Sequence, residues 1–135
     1  MHALTGTWIA NLDQSRRDPS HQFHRATMRF EVTGDRVSLA YGGINASGRY
    51  EQGGQTIHAD EQEHSVPEAP GVVAISTLGA RALQSVGKKD GTVVDLATYQ
   101  VSEDGRTMTA TVSGIDVSGK SFDQVIVFDR EEPAA

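Results

Sequence analysis

The sequence has no cysteine, and this absence excludes disulfides, thiolate nucleophiles and zinc or iron–sulfur sites built on cysteine. Proline is scarce, with 4 residues against 14 glycines, a balance typical of a globular chain with many tight turns. No apolar run approaches the roughly 18 to 20 residues that a membrane span needs. The first apolar stretch begins at Leu4 and leaves no room before it for a leader segment, so we expect a cytoplasmic protein.

Positive charge is also in short supply. Lysine and arginine total 12 against 18 aspartate and glutamate residues, which gives a formal net charge of −6. The basic residues are scattered, apart from the pairs Arg16-Arg17 and Lys88-Lys89, so no basic stripe is available to dock a phosphate backbone. The same balance disfavours anionic membrane surfaces. We therefore expect neither nucleic acid nor a membrane as a partner.

What the sequence does contain is strict alternation of apolar and polar side chains. From Ala26 to Val32 every second side chain is apolar and the side chains between them are mainly charged, which is the period of a half-buried strand. Runs of this kind are separated by turn sequences such as Thr33-Gly34-Asp35, Lys89-Asp90-Gly91 and Ser102–Gly105. The pattern predicts an all-β fold without a helix: a single antiparallel up-and-down barrel of about eight to ten strands. We expect one domain over residues 1–135, with a frayed tail from about residue 131.

Glycine predicts where the middle of the chain turns. We expect Gly42–Asn45 to be a connection and Gly53-Gly54 to be a turn between strands. Residues 55–64 then form one strand, which puts His58 and Asp60 on its outer face because Ile57 and Ala59 form the apolar face.

Several motifs carry a family resemblance. The chain begins with Gly6-Thr7-Trp8, as up-and-down barrels of the lipocalin type do. Together with Lys89-Asp90-Gly91, Val101–Thr109 and the closing Val125–Arg130, this start resembles a bacterial lipocalin-like family of small, mostly uncharacterised β-barrel proteins. The resemblance implies a barrel and no established chemistry. It also implies relatives that are often exported, whereas this chain shows no leader.

The same resemblance implies a structural plug. In lipocalins the N-terminal indole fills the closed end of the barrel and a basic side chain near the end of the last strand packs across it. Trp8 and Arg130 match these two roles, and a guanidinium over an indole gains about 0.5–2 kcal/mol. Function is then expected at the opposite end, near His24 and the polar Gln14–His21 loop that would cover the mouth.

The inward residues of such a barrel decide what it holds. Our predicted lining is mainly apolar with a few polar groups, which suits a hydrophobic or aromatic small molecule oriented by two or three hydrogen bonds. We therefore predict a small-molecule binding barrel that needs no cofactor. The candidate ligand-binding residues are His24, Met28, Phe30, Leu39, Tyr41, Tyr50, Tyr99, Met108, Phe122 and Gln124.

Catalysis is the alternative hypothesis. A cofactor-free isomerase or cyclase could hold a polyketide-like or terpenoid-like substrate in the cavity, with His24 as acid–base group and Tyr41 or Gln124 as hydrogen-bond donor. We expect Asp95 and Asp123 on outer faces, and an inward Asp95 would favour an enzyme. A self-associating barrel, such as a homodimer, is a third hypothesis that a packed interior would support.

The histidines do not predict a metal site. His21 and His24 are three residues apart, which places them on opposite faces of a strand. His58, Asp60 and His64 share strand parity but sit in an acidic, solvated stretch. Neither group has a recognised ligand spacing, so we expect no bound metal.

Overall fold

The computed structural model describes residues 2–19, 22–66, 69–115 and 118–131. Residues 132–135, most of the predicted frayed tail, lie outside this part of the chain. Within it, no helix has the length and hydropathy that crossing a membrane requires. The strands are β1 (Gly6–Arg16), β2 (Phe23–Thr33), β3 (Arg36–Asn45), β4 (Tyr50–His58), β5 (Asp60–Ser65), β6 (Val72–Leu78), β7 (Ala82–Lys89), β8 (Thr92–Val101), β9 (Thr107–Ile115) and β10 (Ser121–Arg130).

All ten strands belong to one antiparallel sheet. Its order is β4-β3-β2-β1-β10-β9-β8-β7-β6-β5, so neighbours in the chain are neighbours in the sheet at nearly every step. β1 lies beside β10, with Trp8 opposite Arg130 and Ala10 opposite Phe128. β4 and β5 follow one another in the chain but form the two ends of the sheet.

Contacts between distant strands show that the sheet curves back on itself. Phe30 of β2 and Tyr99 of β8 meet edge to face with ring centroids 5.4 Å apart, although β1, β10 and β9 lie between them in the sheet. At the two sheet ends, the rings of His58 and His64 are 5.1 Å apart. The structure is therefore a nearly closed barrel of ten strands, which confirms the predicted fold class. We name the line along which β4 faces β5 the seam.

One end of the barrel is filled by packed apolar side chains. Trp8, Phe30, Leu83 and Met108 come from four different strands and are at most 1% exposed. Alternation along each strand delivers one inward side chain every second residue, and each large one stabilises the fold by about 1.5–3 kcal/mol on burial. We name this end the closed half. Its buried cluster is Leu4, Trp8, Phe30, Val37, Leu39, Ala59, Leu83, Val101, Met108, Ala110, Ile126 and Phe128.

The predicted contact between Trp8 and Arg130 is present in the closed half. The guanidinium carbon of Arg130 lies 4.1 Å from the centroid of the indole, and the indole Nε1 donates a hydrogen bond of 2.9 Å to the carbonyl oxygen of Leu4. Gly6 explains the glycine of the opening motif. Its φ is +135°, and a Cβ there would lie 2.6 Å from Nη1 of Arg130.

Arg130 also binds three backbone segments together. Its Nη1 and Nη2 donate to the carbonyl oxygens of Thr5 and Ala3, at 2.8 and 2.6 Å, and its Nε donates to the carbonyl oxygen of Gly105 at 2.7 Å. Arg130 thus ties the N-terminal segment and the β8–β9 turn to the last strand.

Two predicted glycine turns are wrong. Gly42–Asn45 is the end of β3, and Gly53-Gly54 lies inside β4. The glycines are needed for space, because tyrosine side chains of the partner strand cover them: the phenol of Tyr41 covers Gly53, and a Cβ on Gly42 would lie 2.8 Å from the Tyr50 hydroxyl oxygen.

The predicted single strand over residues 55–64 is also wrong. The chain breaks at Ala59, which is buried and donates its N–H to the carbonyl oxygen of Asp35 at 2.7 Å. This break ends β4 and starts β5, and so creates the seam.

Candidate ligand-binding site

The other end of the barrel, the open half, is lined by small and polar side chains. Ser85 and Gly87 of β7 and Ala97 of β8 occupy inward positions above the packed cluster. Because they leave the interior unfilled, a cavity of about 480 Å³ lies between them and the seam. We name it the first cavity; the seam contributes Ile57 and His64 to its lining.

A second cavity of about 390 Å³ lies on the β2–β3 side of the barrel. Met28, Tyr41 and Gln124 line it, as the sequence predicts, and Ile126 of the packed cluster belongs to its lining too. The Oε1 of Gln124 is buried and finds no hydrogen-bond partner among the described residues. Tyr99 lines both cavities, so the two adjoin at its side chain.

Tyr99 marks the boundary between the two halves. Its ring packs on Phe30 of the closed half, and no hydrogen bond to its hydroxyl is found within the described parts of the chain. Burial raises the pKa of Tyr99 above its ordinary value of 10.0, and the negative charge of Asp95 acts in the same direction. The phenol is therefore protonated at neutral pH and offers an O–H donor.

The part of the first cavity wall formed by β6 and β7 carries a pair of serine hydroxyls. Ser76 is only 3% exposed, and its Oγ lies 3.0 Å from the Oγ of Ser85 directly across the β6–β7 ladder. The two hydroxyls share one hydrogen bond, so neither oxygen is left without a partner.

Asp95 lies on the inner face of the barrel, where we had expected an outer position. It shares the phase of Ala97 and Tyr99 and lines the first cavity. Gly87, directly opposite on β7, makes room for it, since a Cβ there would lie 2.5 Å from the carboxylate Oδ1. Asp123, by contrast, is outward and pairs with Arg16 at 3.2 Å, as expected.

His24 lies outside both cavities, so its predicted inward position is wrong. The β2–β3 register shifts between Phe23 and Arg25, and this bulge turns Phe23 inward while His24 becomes exposed. The Nε2 of His24 is 3.1 Å from the carbonyl oxygen of Ala46. The two-residue alternation of inward and outward side chains predicts the wrong face for His24, because the bulge inserts one residue into β2.

Tyr50 is also outside, which corrects its predicted inward position. It pairs with Ile44 on β3, is 63% exposed, and lines a groove on the outer surface of β2, β3 and β4. Arg25 and Arg29 belong to the same outer groove.

Four further candidates are inward but do not line a cavity. Phe30, Leu39 and Met108 belong to the packed cluster of the closed half, where they are at most 4% exposed. Phe122 lies over Gly114, where a Cβ would be 3.1 Å from its ring. For Phe30, Leu39 and Met108 the face was predicted correctly and the height along the barrel axis was not.

The seam carries a histidine–aspartate pair. The Nε2 of His64 lies 2.8 Å from Oδ1 of Asp60, and a bulge at Glu61, whose φ is +64°, brings the two residues together within β5. Hydrogen bonds from the N–H of Gln62 and from His64 hold the pKa of Asp60 below its usual value. No group of three metal-ligating side chains occurs in the described ranges. His21, the other predicted candidate, lies outside them.

Solved structures with this fold cover almost the whole chain. The wild-type fluorescent protein UnaG matches with a TM-score of 0.64 and 16% identity, over 95% of this chain and 97% of that one. The zebrafish ileal bile acid-binding protein complexed with cholic acid matches with a TM-score of 0.60 and 9% identity, over 96% and 99%. The fatty-acid-binding protein from Manduca sexta matches with a TM-score of 0.57 and 13% identity, over 95% and 99%.

These likenesses show the fold. The structural neighbours are barrels of the fatty-acid-binding and lipocalin-like type, so the resemblance seen in the sequence is supported at the level of architecture. No protein-family model matches the sequence, and no curated protein sequence matches it either. Membership of a bacterial family therefore stays a prediction.

Proposed function

We propose that the barrel binds one small, largely apolar molecule in the two adjoining cavities. The observation that carries the proposal is the contrast between a fully packed closed half and an open half holding spaces of about 480 and 390 Å³. Small-molecule sites commonly measure about 300–1,000 Å³. Two of the structural neighbours are named for binding a bile acid and a fatty acid, which favours the same use of this barrel.

The second cavity would hold the apolar body of the ligand. Met28 and Tyr99 offer a flexible thioether chain and an aromatic ring, and Ile126 belongs to the same lining. The unpaired Oε1 of Gln124 is the polar group that a ligand there could satisfy. A hydrophobic or aromatic metabolite with one or two polar groups matches this lining.

The enzyme alternative keeps one favourable observation, the inward position of Asp95, but lacks the acid–base group assigned to it. Its acid–base group, His24, lies outside both cavities. Asp95 is inward, yet no hydrogen bond or ion pair joins it to a second titratable side chain within the described residues. A cytoplasmic location, a homodimer and the lack of nucleic-acid or membrane partners stay predictions.

Dye binding tests the proposal. The uncharged dye Nile red should bind saturably to the purified protein with one site per chain, and mass spectrometry of the native protein should detect a co-purifying small molecule. The variant Ala97→Phe projects a ring into the first cavity and should weaken dye binding by about tenfold or more.

Ala40→Phe is the matched control. Ala40 is exposed on the outer face of β3, so the same substitution there adds a ring outside the barrel and should leave dye binding unchanged. Absence of a saturable site together with absence of a co-purifying molecule would refute the binding function. Equal loss in both variants would show that the dye binds elsewhere.

A further inference from the structure

The charged side chains around the first cavity are unequally divided between acidic and basic groups. Its lining contains one carboxylate, Asp95, and no lysine or arginine from the described residues. The remaining titratable side chains that face it are the imidazoles of His58 and His64 and the phenol of Tyr99. Fixed negative charge is therefore the dominant electrostatic feature of this space.

Asp95 is free to bind a ligand. In the described chain its carboxylate has no hydrogen bond and no ion pair, and its side chain is solvent-accessible. Gly87 opposite it makes room for the carboxylate itself, since a Cβ there would come within 2.5 and 2.7 Å of its two oxygens. Asp95 is exposed at the mouth of the cavity, and its unpaired carboxylate places a fixed negative charge beside the space that a ligand would enter.

The second cavity does not supply a buried positive charge that would offset the carboxylate of Asp95. Its buried unpaired group, Oε1 of Gln124, is a hydrogen-bond acceptor. Arg25 is the basic residue in its lining, and it shares strand phase with the exposed Arg29 and lines the outer groove as well. A carboxylic acid in the first cavity would meet a like charge and no guanidinium or ammonium group.

On these grounds we infer that the ligand is a cationic amphiphile: a hydrophobic molecule whose protonated amine binds the carboxylate of Asp95 while its apolar body passes Tyr99 into the second cavity. This inference rests on the proposed binding function and narrows its ligand class. It distinguishes the chain from barrels that select acids, because here the polar group of the ligand must donate hydrogen bonds and carry positive charge.

Displacement of Nile red by three ligands of equal chain length tests the inference. Dodecylamine, dodecanol and dodecanoic acid share one alkyl chain and differ in the charge of the polar group. At neutral pH, below their aggregation concentrations and at low salt, dodecylamine should displace the dye at a concentration about tenfold lower than dodecanol, with dodecanoic acid weakest.

Removal of the carboxylate should abolish the preference. Asp95→Asn keeps the shape of the side chain and should weaken dodecylamine about tenfold while leaving dodecanol unchanged. Asp123→Asn is the matched control, because it changes the net charge equally on the outer face of β10. It should leave the order of the three ligands as in the unmodified protein.

The outcomes separate the two proposals. No dye binding and no displacement would refute the binding function itself. Dye binding with equal potency of the three ligands, or with dodecanoic acid strongest, would overturn the amine inference and leave the binding function standing. An equal loss for Asp95→Asn and Asp123→Asn would also overturn it, since net charge alone would then explain the preference. If Asp95→Asn does not fold, the ligand series on the unmodified protein still decides.

Discussion

The closed half and the open half are built from the same strands and differ in the size of the inward residues. Along β7 the inward positions run Leu83, Ser85, Gly87, from the packed end to the mouth. Along β8 they change from Val101 and Tyr99, which pack on the core, to Ala97 and Asp95, which are small or charged. The comparison teaches that a single strand face encodes both a core and a cavity, through a change from large apolar to small or polar inward residues.

The two halves also divide the tasks of the fold. Apolar burial in the closed half provides the stability, since its cluster is at most 7% exposed. The open half gives up packing contacts, which a natural protein can tolerate where function needs space. Substitutions in the two halves should therefore affect different measurements.

The largest expected effect is that of Trp8→Ala. It removes a fully buried indole, its hydrogen bond to Leu4 and the surface on which Arg130 stacks. We expect the free energy of unfolding to fall by about 3–5 kcal/mol in urea titrations. Nile red affinity of the folded fraction should change little. Loss of dye binding at unchanged stability would overturn the assignment of Trp8 as a structural plug.

A matched pair of methionines compares the halves directly. Met108 is 0% exposed in the closed half, whereas Met28 lines the second cavity. We expect Met108→Ala to lower the free energy of unfolding by about 2–5 kcal/mol, because it opens a new void in packed surroundings. Met28→Ala enlarges an existing cavity and should cost less than about 2 kcal/mol. Equal losses on chemical denaturation would mean that the open half is packed as well.

Tyr99, at the boundary between the two halves, should make the free energy of unfolding depend on pH in the alkaline range. Since burial raises the pKa of Tyr99 above 10.0, the folded state keeps the phenolic proton to higher pH than the unfolded state does. The contribution of the protonated phenol to the free energy of unfolding is therefore fully present below about pH 10. It falls as the pH rises further, by at most about 1.4 kcal/mol per pH unit. Tyr99→Phe should show a weaker decline in unfolding free energy between about pH 9 and 11. Parallel declines in both proteins would place the hydroxyl in water.

The smallest effects are expected at acid pH, from a half-buried carboxylate at the seam and an exposed one in the β8–β9 turn. Hydrogen bonds lower the pKa of Asp60, and a hydrogen bond from Ser102 lowers the pKa of Asp104. Groups with lowered pKa stabilise the fold above their unfolded values and lose this effect as the pH falls. Asp60→Asn and Asp104→Asn should each make the thermal midpoint less sensitive to pH below about 4. Unchanged sensitivity would show that neither hydrogen bond persists in solution.

Much of the fold follows from the sequence, because period two and the Asp-Gly turns are local signals. The contact between Trp8 and Arg130 was predicted from position and strand phase, and the structure contains it. The inward phase of Met28, Tyr41 and Gln124 was correct for the same reason.

Two local features, a bulge and a set of glycines inside strands, could not be predicted from the sequence. The bulge that turns His24 outward depends on the pairing of β2 with β3, which one strand cannot reveal alone. The glycines of β3 and β4 read as turns because their use, as space beneath Tyr41 and Tyr50, lies on a neighbouring strand.

The first cavity was missed, although a signal for it existed. Period two from Tyr99 leads through Ala97 to Asp95, so the inward carboxylate could have been found from its own strand. Ser76, Ser85 and Gly87 gave no such signal singly. In the sequence a single small residue on an inward face indicates only a poorly filled core position. The strand register is needed to show that these residues surround one space.

The pairing of β1 with β10 has a consequence for how fast the chain folds. Trp8 pairs with Arg130 in this ladder, and Arg130 also donates to the carbonyl oxygen of Ala3, 127 positions away in the sequence, so the contact joins the two ends of the chain. Nearest-neighbour hairpins can form early, but joining the first and last strands requires nearly the whole chain to be ordered. We expect folding on a timescale of about milliseconds to seconds, with the fluorescence of Trp8, the single tryptophan, changing in the last phase.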